Sequence, residues 1–246
     1  MSARFEELDW QLTPMGAISL RRRRDPLLNV DVYEVKLDDE FLMSSLFTVA
    51  EVELATLGLA RLTGSGLDVV VGGLGLGYTA LSVLADERVR SLVVVEAVGA
   101  VIGWHERGLV PAGAALTSDP RCRFVLGDFM AMAASADGLD PWASGRRFDA
   151  VLVDIDHSPR HLLHPSHVAF YQASGLRRLA GHLRPDGCFA LWSNDPPEPE
   201  FLATLGEVFV DVAAEVVAFD NPLQGRKATN TVYRARAGRH AGFQGG

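Results

Sequence analysis

Cysteine is nearly missing from this chain of 246 residues: Cys122 and Cys188 are its only two, and they lie far apart. That excludes a disulfide framework and a CxxC metal or redox site, and it makes a reducing, cytoplasmic setting the expectation. The sequence also lacks any apolar run of about eighteen residues and any charged-then-apolar leader, so it reads as neither membrane-spanning nor secreted. Basic charge is in short supply. A formal net charge of -8 argues against the concentrated basic face that duplex nucleic acid needs, leaving open only a local patch. The dinucleotide spacing is absent as well. Gly73, Gly75 and Gly77 fall as GxGxG, and Tyr78 stands where GxGxxG would place its last glycine, which disfavours NAD.

What is present fits one large α/β domain with a small appendage: the chain is 48% hydrophobic and 22% charged, ordinary values for a globular fold. Its organising stretch runs from Asp68 to Glu96. Val69 to Val71 is a short apolar run of the kind that is buried on both faces of a covered parallel sheet. The glycines follow, and Tyr78 to Ala85 then has helical spacing, so they lie where a strand hands over to a helix. Such a loop brings backbone close to a ligand, and the helix behind it presents free N–H groups. A second buried run, Ser91 to Val95, stops at Glu96, about twenty residues past the last glycine, where a carboxylate can accept both hydroxyls of a ribose. Together these residues make a nucleoside half-site.

Upstream, residues 1–40 read as a small β-hairpin of Gly16 to Leu20 and Val30 to Leu37, with Arg21 to Arg24 as a solvated tip beside Asp25-Pro26. Phe41 to Leu62 reads as a helix, broken by Thr63 to Gly66. Downstream, a helix over Ala97 to Arg107 precedes a loop through Pro111, Gly113 and Pro120. Strands follow at Cys122 to Leu126, Phe148 to Val153 and Cys188 to Trp192. A long helix, Pro165 to Leu183, closes at Arg184-Pro185-Asp186-Gly187. The helical Glu200 to Val208 leads to a last strand pair, Asp211 to Phe219 and Thr229 to Arg236, which should be antiparallel. The tail 237–246 should fray. The alternation predicts a Rossmann-like α/β domain over 41–236, with a seven-stranded, mostly parallel sheet, an antiparallel last strand and helices on both faces. Ligands of such sheets bind beyond the carboxyl ends of the strands. Four of those ends carry the glycines, Glu96, Asp128 and Asp154.

In these residues the chain resembles the class I S-adenosylmethionine-dependent methyltransferase fold, and within it the spermidine synthase-like branch. The resemblance rests on VVVGGLGLG, Glu96, Gly127-Asp128-Phe129 and FDAVLVDIDHSP, and spans about residues 14 to 236. It implies that Gly73, Gly75 and Gly77 pass the amino-acid portion of S-adenosylmethionine or its decarboxylated form. It implies too that Glu96 holds the ribose hydroxyls and that Asp128 meets the adenine amino group, with Phe129 offering a ring face. The N-terminal hairpin becomes a homodimer element by the same resemblance. The acceptor half departs from the pattern. Where the family's aminopropyl transferases carry a DxxDP-type motif, this chain has DIDHSP: Asp154 matches the first acid, His157 replaces the second, and Asp156 stands one place early. An entry segment of the DExxYHE kind is also altered, since Asp39-Glu40-Phe41 runs on to Leu42-Met43-Ser44-Ser45 without the tyrosine or the later Glu.

The implied chemistry is transfer of a group from an activated sulfonium to a small-molecule acceptor, which asks for in-line positioning and removal of one proton. Asp154 is the first candidate for base or amine-orienting group, and it also borders the cofactor; Asp156 and His157 come next. Methyl transfer stands first, aminopropyl transfer beside it, and a nucleoside-binding protein without an acceptor site is the rival from another class. His157, His161, His164 and His167 invite a metal, but Pro165 interrupts any shared helix and no carboxylate set accompanies them. Asn194-Asp195-Pro196-Pro197 is similar to the DPP-type motif of amino-group DNA methyltransferases, yet it follows the fifth strand and reads as a rigid loop. Trp192 reads as packing.

Overall fold

A computed structural model describes residues 5–221 and 225–239. The central layer is a seven-stranded sheet of β5 (Leu67–Gly72), β6 (Val89–Glu96), β7 (Cys122–Leu126), β8 (Phe148–Val153), β9 (Leu183–Ser193), β10 (Val210–Asn221) and β11 (Arg226–Arg236). Its order is β10-β11-β9-β8-β5-β6-β7. All pairings are parallel except those of β11, which runs antiparallel to both β9 and β10. Every residue of β5 is buried, as its unbroken apolar run requires. Its alternate side chains feed two cores: Val69 and Val71 join Leu54, Leu92, Trp104 and Leu152 on one face, while Val70 joins Val93, Val151, Phe189 and Tyr233 on the other. Each such side chain contributes roughly 1.5–3 kcal/mol by leaving water, so the sheet's position, and with it the carboxyl edge, is fixed by packing.

The N-terminal segment is larger than a hairpin. It is a four-stranded antiparallel sheet in chain order, β1 (Phe5–Thr13), β2 (Gly16–Asp25), β3 (Val30–Leu37) and β4 (Glu40–Ser44). Strand β1, FEELDWQLT, shows no apolar alternation because its pairing is electrostatic. The arginine run lies inside β2, not at a solvated tip, and acids on both flanking strands neutralise it. Arg22 meets Glu6 at 2.5 Å, Arg23 meets Glu34 at 2.7 Å, and Arg24 meets Asp31 at 3.2 Å. Ile18, Leu20 and Val35 carry this sheet into the first core.

Helices α1 (Val49–Leu59), α2 (Tyr78–Leu84), α3 (Gly99–Glu106), α4 (Gly113–Ser118), α5 (Phe129–Ala134), α6 (Ala173–Ala180) and α7 (Pro199–Gly206) cover the large sheet. Several expectations need correcting. Phe41 to Leu62 is not one helix: β4 occupies its start, because Ser45 Oγ accepts from the Tyr33 N–H at 2.9 Å and ties the segment to β3. Helix α4 fills part of the expected loop between Pro111 and Pro120. The long helix from Pro165 is split into a 3-10 turn, Pro165–Ala169, and α6. Its stop signal lies within β9, where Asp186 takes a φ of +63° and a register shift absorbs the turn residues. Ala237 is buried and its N–H donates to the Gly187 carbonyl at 2.8 Å, so the chain stays docked past β11. The remainder of the expected fraying tail, 240–246, lies outside the described residues. No helix among the described residues is long and apolar enough to cross a membrane.

Candidate functional site

Beyond Gly72 the chain turns through 73–77 directly against the end of β8. Gly73 has φ +92°, and a Cβ there would lie 2.0 Å from the Asp154 carbonyl oxygen, so no other residue fits. His105 braces the loop from α3: fully buried, it donates from Nε2 to the Gly75 carbonyl at 2.9 Å. The loop's own backbone then prepares Glu96. The Leu74 N–H donates to Glu96 Oε2 at 3.0 Å and the Val98 N–H to Oε1 at 2.8 Å. The Gly75 and Ala97 N–H groups also face this carboxylate, which stands at the end of β6 as an acceptor of the kind a vicinal diol needs. Burial raises the Glu96 carboxyl above its ordinary value, and these backbone donors oppose that rise.

Two adjoining chambers open along this edge. The first, about 470 Å³, is bordered by Gly73, Glu96, Val98, Leu126, Asp128 and Ile155. Asp128 is exposed and caps α5, accepting from the Ala131 N–H at 3.1 Å. Its remaining oxygen capacity faces a chamber of mostly apolar walls, the setting an adenine amino group and ring need. Phe129 departs from its expected part. It is 2% exposed, its ring packs beneath Gly72 and edge-on to Phe170 with centroids 6.1 Å apart, and it acts as floor. Leu126, 65% exposed at the end of β7, is the apolar side chain open to the chamber instead.

The second chamber, about 530 Å³, adjoins the glycine loop and holds Asp154, Glu51, Tyr78, His157, Trp192 and Asn194. Asp154, half-buried at the end of β8, accepts from Thr79 Oγ1 at 2.7 Å. Burial pushes its carboxyl up to about 6 despite that bond. Glu51, in the first turn of α1, is pushed up to about 8 by burial and by the negative field of Asp154. The two therefore share protons across neutral pH. Neither chamber has an Arg or Lys among the described residues that line it.

The remaining candidates are placed apart. Asp156 is 2% exposed and borders neither chamber. Its carboxylate is spent on the Leu163 N–H at 2.7 Å, His167 Nδ1 at 2.8 Å and the Tyr171 hydroxyl at 2.9 Å, which fix the irregular segment 157–172 over the site. The bond to Asp156 holds the His167 imidazole above its ordinary value. His157 does border the second chamber, and its Nε2 lies 3.1 Å from Glu40 Oε1 on β4. His161 pairs with Asp195 and His164 with Ser166. Among the described residues no group of three His, Cys, Asp or Glu side chains is arranged to hold a metal. Sequence reasoning missed Glu51, Thr79 and His105. An acid in a helix's first turn is ordinary, and only the crossing of α1 over β8 and β9 reveals what Glu51 faces.

No protein-family model matches the chain. Among solved structures it is similar to a spermidine synthase in complex with the transition state analogue AdoDATO, at TM-score 0.72 and 16% identity, over 96% of this chain and 75% of that one. It is also similar to the spermidine synthase from Thermotoga maritima, at TM-score 0.70 and 16% identity, over 96% and 73% of the two chains. The chain shares the fold of these spermidine synthases.

Proposed function

Starting from that fold, we propose that the chain is a transferase that moves a group from the sulfonium of an S-adenosylmethionine-type nucleoside to the nitrogen of a small amine. The observation that carries this reading is the Glu51–Asp154 pair, two carboxylates in the chamber beside the glycine loop with no Arg or Lys among the described residues that line it. An amine reaches such a site as an ammonium, attracted by the uncompensated charge. It must shed one proton before its lone pair can attack, and Asp154, ionised above about pH 6, accepts it. The leaving thioether needs no acid, so the rest of the rate comes from alignment by Glu96, the loop and Asp128.

Aminopropyl transfer is the better supported of the two reactions. A donor with an α-carboxylate would set that group near two acids with no Arg or Lys to meet it, whereas the decarboxylated donor brings none. Methyl transfer is the second reading, favoured by His157 in the place of the family's second acid. Calorimetry with S-adenosylmethionine, its decarboxylated form and methylthioadenosine separates them. The expected order places the decarboxylated donor at least about tenfold ahead of the full one, a difference of about 1.4 kcal/mol. Tighter binding of the full donor selects methyl transfer. Binding of methylthioadenosine without turnover on any amine makes the protein a nucleoside binder and overturns the transferase reading.

A further inference from the structure

The second chamber has a direction, and its chemistry changes along it. Its lining follows the carboxyl edge from β5 and β8, with Gly75 and Asp154, past β9 to β11 and β10. Neighbouring strands lie about 4.8 Å apart. Asn194, just beyond β9, and Asn230, in β11, are thus one and two strands away from Asp154. Glu51 and Asp154 are the only Asp or Glu among the described residues that line the chamber, so the negative charge is confined to the β8 end. At pH 7 that pair holds about one negative charge, since Asp154 loses its proton near 6 and Glu51 near 8.

The far end is neutral and polar, with Asn194, Asn221, Thr229 and Asn230. Asn230 Nδ2 donates to Asn194 Oδ1 at 3.1 Å. That bond leaves the amide NH2 of Asn194 as donor and the carbonyl oxygen of Asn230 as acceptor, a complementary pair for one amide or hydroxyl. Apolar rings suited to an alkyl stem also line the chamber: Trp192 on β9, and Phe219 on β10 with Phe47 packed against it, centroids 5.8 Å apart. A second ammonium placed at the far end would leave water for neutral amides with no counter-charge, at a cost that an amide or hydroxyl escapes.

We propose that the acceptor is a monocation: a primary amine joined by a short apolar stem to a neutral hydrogen-bonding group that docks on Asn194 and Asn230, in preference to a free diamine. This rests on the amine-transfer reading above. The test is calorimetry on the full chain saturated with methylthioadenosine, titrated in turn with N-acetylputrescine, putrescine and n-butylamine as probes. N-Acetylputrescine should bind at least about tenfold tighter than putrescine and tighter than n-butylamine. Asn230→Asp should reverse the order of the first two; Asn194→Asp serves the same purpose if that variant fails to fold by circular dichroism. Putrescine binding as tightly as N-acetylputrescine, or an order unmoved by either variant, overturns the inference and leaves amine transfer standing. Binding of methylthioadenosine with no binding of any of the three amines overturns the amine reading itself.

Discussion

Two carboxylates on neighbouring strands of one sheet show how the same side chain is put to opposite uses. Asp68 opens β5 at the amino edge and is 2% exposed; Asp154 closes β8 at the carboxyl edge. Burial pushes both carboxyls up. Around Asp68 that push is overcome by hydrogen bonds from Arg90, Ser91 and Arg184 and by the field of Arg146, which hold it well below the usual carboxylate range. Asp154 has one hydroxyl for relief and Glu51 for a neighbour. The amino edge is a closed network whose charges cancel inside the protein. The carboxyl edge leaves its charge for something else to cancel, which is why the proposed site is set there.

The contrast extends to stability. Asp68 has a folded value below its unfolded one, so its contribution is present above about pH 4 and is lost as pH falls toward the folded value. Asp154 and Glu51 have folded values above their unfolded ones. Their contribution is therefore lost as pH rises from about 4 through 8, and the ionised pair weakens the fold that carries it.

The largest expected effect breaks the carboxyl edge without harming the fold. Asp154→Asn should lower kcat for amine transfer by roughly a thousandfold while the melting temperature at pH 8 holds or rises, as read by steady-state kinetics and calorimetric scans. The reverse outcome is expected at the amino edge. Asp68→Asn takes a partner from three arginines, of which Arg146 keeps Asp140 and Arg184 keeps Asp149, while Arg90, 63% exposed, turns to solvent. With solvent screening discounted it should cost about 2–4 kcal/mol in urea unfolding, with kcat per folded molecule unchanged. Smaller still, Glu96→Gln should weaken methylthioadenosine about ten- to a hundredfold by calorimetry, the worth of two hydroxyl bonds to a charged acceptor. The finest test sharpens the comparison: Glu51→Gln should leave the acid limb of the kcat/KM profile within about half a unit of its place, because Glu51 still holds its proton where Asp154 ionises.

The placing of the glycine loop, Glu96 and Asp128 along one edge was legible in the sequence because each sits at a strand end set by short-range pattern. The GxGxG turn, Glu96 and Asp128 need only the strands before them to be read correctly. Phe129 shows the limit of that reading. Its neighbourhood was right, but the direction of its ring depends on the space above Gly72, which no local pattern records. The acceptor half depends on long-range crossings. Glu51 meets the site only because α1 packs across β8 and β9, and Asp156 is withdrawn from it by His167 and Tyr171, eleven and fifteen residues along the chain. Strand β1 was hidden for another reason: its start pairs with Arg21, Arg22 and Arg23, and no residue of the strand is buried, so it carries no hydrophobic period.

The account turns on Glu51 and Asp154 titrating on either side of neutrality, so that one carries charge to meet an amine while the other holds a proton. Carbon-13 NMR of protein labelled at the Asp and Glu carboxyls, titrated from pH 3 to 10 and assigned through Asp154→Asn and Glu51→Gln, measures this directly. Two resonances should titrate between about pH 5 and 9, coupled to each other, and fall when an amine is added to the methylthioadenosine complex. If both carboxyls titrate near 4 and ignore the amine, the chamber is no amine site and the account is wrong.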